Sequence, residues 1–330
     1  MKKLLFGLTL FMASASMMQS VDADEPCDAC DTCTNSLSDC KTKKPLWFSA
    51  DALFLNRSQN FSGNLVLDED NNLAPVLTGN DLSFGTVGGP RFAGGIGLTD
   101  CLSVEGVYFG LHDWSTTGVA LGNNNLSIPG DLGLSSFDYF AADTIQVSYG
   151  SRIQNAEANL WRSFDKVDVL GGFRHFGMFD DFRLATFDAD TFQSDYRIDT
   201  RNHLYGGQVG LRLNLVGEYF SFRPEAKFGV LGNSNGQSST VRDLNNSLLL
   251  RDVDVSGRTT STLSELRLVG DSKLTKYFSV NYGYNLLWVT NLAHAPNQLD
   301  FTDTAASSQF LNDSHSVFLH GASVGLTISR

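Results

Sequence analysis

The chain has 330 residues, rich in Phe (24) and Gly (31), poor in Pro (7), with 18% charged residues. Its formal net charge is −12. That balance excludes a nucleic-acid partner, which needs a basic surface, and the length allows one large β-rich unit or two domains.

Met1-Lys2-Lys3 and the apolar run Leu4–Met12 give a basic start and a short greasy stretch. This pattern reads as a secretory signal and is too short to span a membrane as a helix. Val21-Asp22-Ala23 offers small residues for cleavage before Asp24, and Ala13-Ser14-Ala15 is a second candidate. No later run of about 18 apolar residues follows, so no helical anchor is expected. Residues 1–23 are assigned to the signal and 24–45 to an Asp-rich tail carrying Cys27, Cys30, Cys33 and Cys40. Four thiolates at this spacing suit zinc or an iron–sulfur run. An exported chain meets an oxidising compartment, which favours disulfides instead, and no metal or cofactor is assigned. Cys101 makes five cysteines, so at least one cannot pair within the chain.

From residue 46 onward, ten segments alternate with period 2, at about 47–57, 90–98, 102–112, 150–162, 167–179, 202–214, 219–231, 257–270, 277–289 and 316–328. The clearest lies in the seventh. Phe220, Phe222, Pro224, Ala226, Phe228 and Val230 alternate with Ser221, Arg223, Glu225 and Lys227. Successive side chains of a strand point to opposite faces, so each segment has one apolar and one polar face. Segments of about ten such residues separated by turns are the signature of a transmembrane β-barrel. Connections at residues 99–101, 163–166, 215–218 and 271–276 are short, and the other five are long, about 20 to 37 residues, and rich in Asn, Asp, Gly, Ser and Thr. Short and long alternate strictly, as short periplasmic turns and long extracellular loops do in outer-membrane barrels. The expected fold is an all-β, antiparallel up-and-down barrel of ten strands over residues 46–330, or twelve if a loop hides a hairpin. Trp47, Trp161, Tyr219 and Tyr277 are expected in a periplasmic aromatic belt, and Trp114 and Trp288 in an extracellular one.

Several stretches carry a family resemblance: Gly89-Pro90-Arg91, Val107 through Ser115, Asn155-Ala-Glu157-Ala-Asn159, Gly171-Gly172-Phe173-Arg174, Asn202 through Gly210, and Lys227 through Asn233. In their order they resemble the putative beta-barrel porin family abundant in planctomycete-type bacteria, over roughly residues 46–330. The resemblance implies an outer-membrane barrel and says little about substrate. The chain departs from many such barrels in ending Thr327-Ile328-Ser329-Arg330, without the terminal aromatic that the assembly machinery reads.

The polar faces carry Asp51, Arg91, Glu105, Glu157, Arg174, Arg212, Arg223, Glu225, Lys227, Glu265 and Arg267. About eight strands are just filled by their own side chains and 16 to 18 leave a channel, so ten make a narrow lumen. Opposite charges there should pair across strands, because an unpaired buried charge costs several kcal/mol. Two functions follow: porin-like passive transport of small solutes, or a non-conducting structural or surface-interaction barrel with a salt-bridged lumen. The near balance of sign argues against strong ion selectivity, which needs a ring of one charge.

An enzyme is not expected. His112-Asp113, Asp180-Asp181 and His203 fall near extracellular strand ends, where a His with carboxylate partners suits general-base work, but hydrophilic residues collect there for solvation alone. Acidic stretches at Asp68–Asn72 and Asp180–Asp199 offer oxygens for calcium without the spacing of a dedicated loop. The expected partners are outer-membrane lipid, the barrel-assembly machinery, and periplasmic or cell-wall material met through the cysteine tail. Cys101 falls in a periplasmic turn, within reach of that tail at roughly 3.3 Å per extended residue, so a disulfide to Cys40 is expected.

Overall fold

The computed structural model describes residues 46–330 except Gln59, Asn60, Glu218 and the side chain of Asp113. The signal and cysteine tail expected in residues 1–45 lie outside the described residues. Alternation sets the architecture. Along one strand Ala226, Phe228 and Val230 are exposed while Glu225, Lys227, Gly229 and Leu231 are buried. In chain order the strands are β1 (Leu46–Arg57), β2 (Asn64–Asp68), β3 (Ala74–Thr78), β4 (Val87–Gly97), β5 (Leu102–Ser127), β6 (Ala142–Phe164), β7 (Val167–Asp188), β8 (Thr191–Leu213), β9 (Leu215–Val216), β10 (Phe220–Asp243), β11 (Leu248–Lys273), β12 (Phe278–Leu292) and β13 (His315–Ser329). Ten of them close an antiparallel ring in the order β4, β1, β13, β12, β11, β10, β8, β7, β6, β5. The β1–β13 seam sets Ala50 opposite Leu326 and Phe54 opposite Ala322. Closure leaves no unpaired edge in lipid, where an unsatisfied backbone group costs several kcal/mol.

The outward band is apolar. Phe48, Phe54, Phe92, Val104, Tyr108, Leu160, Phe173, Tyr205, Val209, Leu211, Phe228, Val230, Tyr282, Tyr284, Trp288, Val324, Leu326 and Ile328 are all exposed. Such a face is stable only against hydrocarbon, so the ring is a transmembrane β-barrel. The four short turns, at residues 98–101, 165–166, 214–219 and 274–277, fall at the end where β1 begins.

Two expectations change. The long connections are largely strand: β5, β6, β7, β8, β10 and β11 run 22 to 26 residues, against 11 to 15 for β1, β4, β12 and β13. The stretch expected as a loop at Asp180–Asp199 is a hairpin whose turn, Ala189-Asp190, takes φ of 44° and 65°, as a two-residue hairpin turn demands. Above the membrane both faces meet polar surroundings, so the period-2 signal fades although pairing continues. Trp161 and Trp114 are buried on the inner side, 2% and 1% exposed, and Trp47 lines an inner cavity. They do not join the belts; Trp288, Tyr219 and Tyr277 are exposed.

Candidate functional site

Among the described residues, buried charge gathers in the lumen, which is filled in two storeys. The lower storey, toward the short turns, follows from strand parity. Each polar residue of β5, β6, β7, β8, β10 and β11 that alternates with a lipid-facing one must point inward. Four carboxylates, Glu105, Glu157, Glu225 and Glu265, meet four cations, Arg174, Arg212, Lys227 and Arg267. The Arg174 guanidinium, 0% exposed, donates to Glu265 at 2.6 Å and to Asn155 at 2.6 Å, and lies 3.6 Å from Glu157. Lys227 Nζ bridges Glu157 and Glu225 at 2.8 and 2.9 Å. Arg212 reaches Glu225 at 2.7 Å and Glu105 at 3.2 Å, and stacks 3.8 Å from the Trp161 ring, whose Nε1 donates to Glu105. Arg267 donates to Asn285 and lies 3.8 Å from Glu225. Asn159 and Gln208 add donors to Glu157. Two separate pairs flank the cluster: Asp51 with Arg91 at 2.9 Å, and Asp271 with Arg223 at 2.7 Å. All eleven charged residues singled out from the sequence thus have partners inside the lumen, some on the neighbouring strand and some further round the ring. Such pairs hold only because every lone charge is matched; removing one partner leaves the other buried and uncompensated.

The upper storey is apolar. Leu53, Leu55, Phe109, Leu111, Ile153, Phe176, Met178, Leu204, Leu231, Leu263, Leu287, Val289, Val317 and Leu319 are at most 5% exposed and form one cluster. Every ring strand except β4 contributes. Above it the connection between β12 and β13 folds inward, with Ala293, His294, Ala295, Pro296 and Gln298 buried. Asn202 clamps Ala293 through both its amide nitrogen and oxygen, at 2.8 and 2.9 Å. Arg251 donates to the Asp300 and Thr302 carbonyls at 2.8 and 2.6 Å. Gln237 donates to the Ser308 and Phe310 carbonyls, and Asn235 to Asp313. Asp300 is partly buried, which opposes its ionisation, but hydrogen bonds from Thr302 and Ser308 hold its carboxyl below the usual range.

Below the charged storey a cavity of about 400 Å³ is lined by Trp47, Arg91, Glu105, Arg212, Glu225 and Arg267, with Cys101 at its rim. The tail cysteines Cys27, Cys30, Cys33 and Cys40 lie outside the described residues, and so does any pairing with Cys101.

The His and Asp residues considered for catalysis are split by the wall. His112 and Asp181 are exposed on the outer face and His203 packs on Tyr205 there, whereas Asp180 is buried inside. Asp113's side chain lies outside the described residues. Asp180 instead meets Arg57 at 3.1 Å, His294 at 3.1 Å and the Tyr149 hydroxyl at 2.8 Å. Sequence reasoning missed this cluster. Arg57 has the inward parity of Asp51, six residues earlier, so it was readable; His294 lies in a connection and gave no signal. The acidic stretches are occupied by protein donors: Asp195 takes Arg183 and Arg197 at 2.7 and 2.6 Å, and Asp68 takes Asn125. Among the described residues no group of three or more His, Cys, Asp or Glu is placed to hold a metal.

The family described as Putative beta barrel porin-7 matches residues 56–329, more than four-fifths of the chain. Among solved structures, the outer membrane protease OmpT from Escherichia coli is similar at 11% identity, with 87% of this chain and 97% of that one covered and a TM-score of 0.47. The P. putida toluene transporter TodX follows at 8% identity, 90% and 92% coverage and 0.36. The Ralstonia pickettii toluene transporter TbuX shows 9%, 88% and 90%, and 0.32. No curated protein matches.

Proposed function

The chain belongs to the Putative beta barrel porin-7 family, and from that premise we propose an outer-membrane barrel that is closed in its ground state and works as a structural and surface-presenting element. The apolar storey carries this reading. A layer of Leu, Ile, Phe, Met and Val fed by nine strands excludes water, and hydrated ions do not cross a dry hydrophobic constriction. The charged storey below supports it, since its charges are spent on one another.

Passive passage of small solutes is the second reading. It is favoured by the family's description as a porin and by the cavity of about 400 Å³ that opens toward the short turns. It requires the β12–β13 connection to withdraw and the apolar storey to part. Single-channel recording in planar bilayers separates the two. Silence from correctly folded protein supports the closed barrel, and steady conductance from the unaltered chain overturns it. Current that appears only when residues 297–312 are replaced by a short linker supports passage gated by that connection.

The same reading takes residues 1–23 as a cleaved signal and 24–45 as a periplasmic tail joined to Cys101 through Cys40. Amino-terminal sequencing and non-reducing peptide mapping of protein from its native envelope test both. A free Cys101 thiol in that material ends the disulfide. No catalytic role is proposed: the Asp180 cluster is buried and already saturated by Arg57, His294 and Tyr149.

A further inference from the structure

The outer wall carries an unusual set of charges where the apolar band ends. A strand residue advances about 3.3 Å, and a tilt of roughly 40° leaves ~2.5 Å of climb per residue. An apolar band about 25 Å tall therefore spans about ten residues. On β8 the outward residues Leu213, Leu211, Val209 and Tyr205 fill that height and His203 closes it, so the next outward residue, Arg201, stands at the upper edge. On β6 the same count from Phe164, in the row of Leu213, reaches Arg152. Both are exposed.

Arg152 and Arg201 share one register row, each paired to Phe179 on the strand between them. Two strand spacings put their backbones about 10 Å apart. Arg152 packs 5.0 Å from the Phe179 ring, and Arg201 lies over Gly236, where a Cβ would come within 3.3 Å of its Nε. Arg152 also lies close enough to Asp181 and Asp199 to favour their ionised forms. One row higher, on the side away from the membrane, Asp181 faces Asp199. Like charges directly opposite are destabilising in a sheet, and a Cβ at Gly150 would collide with the Asp181 carboxylate. All seven residues line one open cavity of about 750 Å³.

We propose that this patch on the outer wall of β6, β7, β8 and β10 binds the phosphate of an outer-leaflet lipid headgroup, held by Arg152 and Arg201 over the Phe179 ring. The charge order fits a lipid better than a free anion. The cations sit at the band's edge, level with headgroup phosphates, and the carboxylates sit one row further out, where the cations that accompany such phosphates gather. Guanidinium groups suit phosphate because their fork of donors matches its oxygens. The patch is independent of whether the lumen conducts.

Native mass spectrometry of the folded protein in mild detergent tests the assignment. The probes are a bis-phosphorylated outer-leaflet glycolipid, the same glycolipid after phosphatase treatment, and sodium phosphate. The phosphorylated lipid should stay bound at collision energies that strip the dephosphorylated form. The Arg152→Gln/Arg201→Gln double variant should retain it at least tenfold less. Arg162→Gln, which removes a charge from the opposite end of β6, should behave as the unaltered protein does. Equal retention of both lipids by the unaltered chain overturns the proposal without need of any variant. So does undiminished retention by the folded double variant. Competition by sodium phosphate at micromolar concentration would assign the site to a soluble anion and overturn the lipid assignment.

Discussion

The two storeys of the lumen are closed by opposite physics. In the lower one Arg174, Lys227 and Glu157 are buried charges, each facing more than one group of opposite charge or an amide. In the upper one Leu204, Leu231, Leu263 and Leu287 pack with no polar partner. The lower storey tolerates no missing member, because each charge is buried on credit of another. The upper loses stability in proportion to the volume removed. The largest expected effect therefore lies below. Glu157→Gln strips Lys227 and Arg174 of a shared counter-charge, and about 3–5 kcal/mol of stability should go with it. The temperature at which the folded, heat-modifiable gel band converts to the unfolded one reads this directly. If the band converts where the unaltered protein does, the lower storey is hydrated and its charges are screened by water.

Leu231→Ala in the upper storey should cost about 2–5 kcal/mol, set by how far the neighbours collapse into the space. Combining it with Glu157→Gln sharpens the contrast. The residues lie three strands apart, Glu157 on β6 and Leu231 on β10, so the two losses should add within about 0.5 kcal/mol. A large departure from additivity would mean that the storeys are one cooperative unit.

The outer wall supplies a third contrast. Phe228, 47% exposed, points to lipid, while Ser221 points inward toward the cavity beneath the charged storey. Phe228→Arg should cost about 2–4 kcal/mol near the midplane and lower the yield of folded barrel in lipid vesicles. Ser221→Arg should be tolerated better. Equal yields would reverse the assignment of faces on β10.

The difference between storeys is also the difference between what was legible and what was not. The lower storey was readable residue by residue, since Ser221, Arg223, Glu225 and Lys227 alternate with apolar neighbours. The same parity, followed from Glu157 and Asn159 to residue 161, places Trp161 inside; weighing it as a belt aromatic because it ends a strand ignored that constraint. The upper storey left no such trace. Ala52-Leu53-Phe54-Leu55 is apolar on both faces, as a strand between lipid and a dry core must be, so alternation vanishes where the lumen turns apolar. Above the membrane the converse holds: Gln237, Ser238, Ser239 and Thr240 are polar on both faces, and β10 reads as loop although its ladder to β11 continues. The inward fold of the β12–β13 connection depends on contacts as distant in sequence as Asn202 with Ala293 and Arg251 with Asp300. No local pattern encodes those.

The smallest expected effect concerns that connection. The Asp300 carboxylate accepts hydrogen bonds from Thr302 N at 3.0 Å, Thr302 Oγ1 at 2.6 Å and Ser308 N at 2.7 Å, and so holds residues 300–308 as one turn beneath Arg251. Its folded pKa lies below its ordinary value. Its contribution is therefore complete above the unfolded value, about 3.9 for Asp, and is lost as pH falls through the lower folded value. The turn should loosen in acid below about pH 4, while the apolar storey beneath it carries no titrating group and should stay shut. Pepsin acts in that range, and Phe301 and Phe310 lie in the connection. Cleavage there should rise as pH falls from 4 to 2, with the gel band still folded. Asp300→Asn cannot form the charged bonds at any pH, so it should be cut readily already at pH 4 and change little below. Cleavage of the unaltered chain that does not vary with pH would show that Arg251 and Gln237 hold the connection without Asp300. Folding lost together with the connection would show that the upper storey depends on its cap.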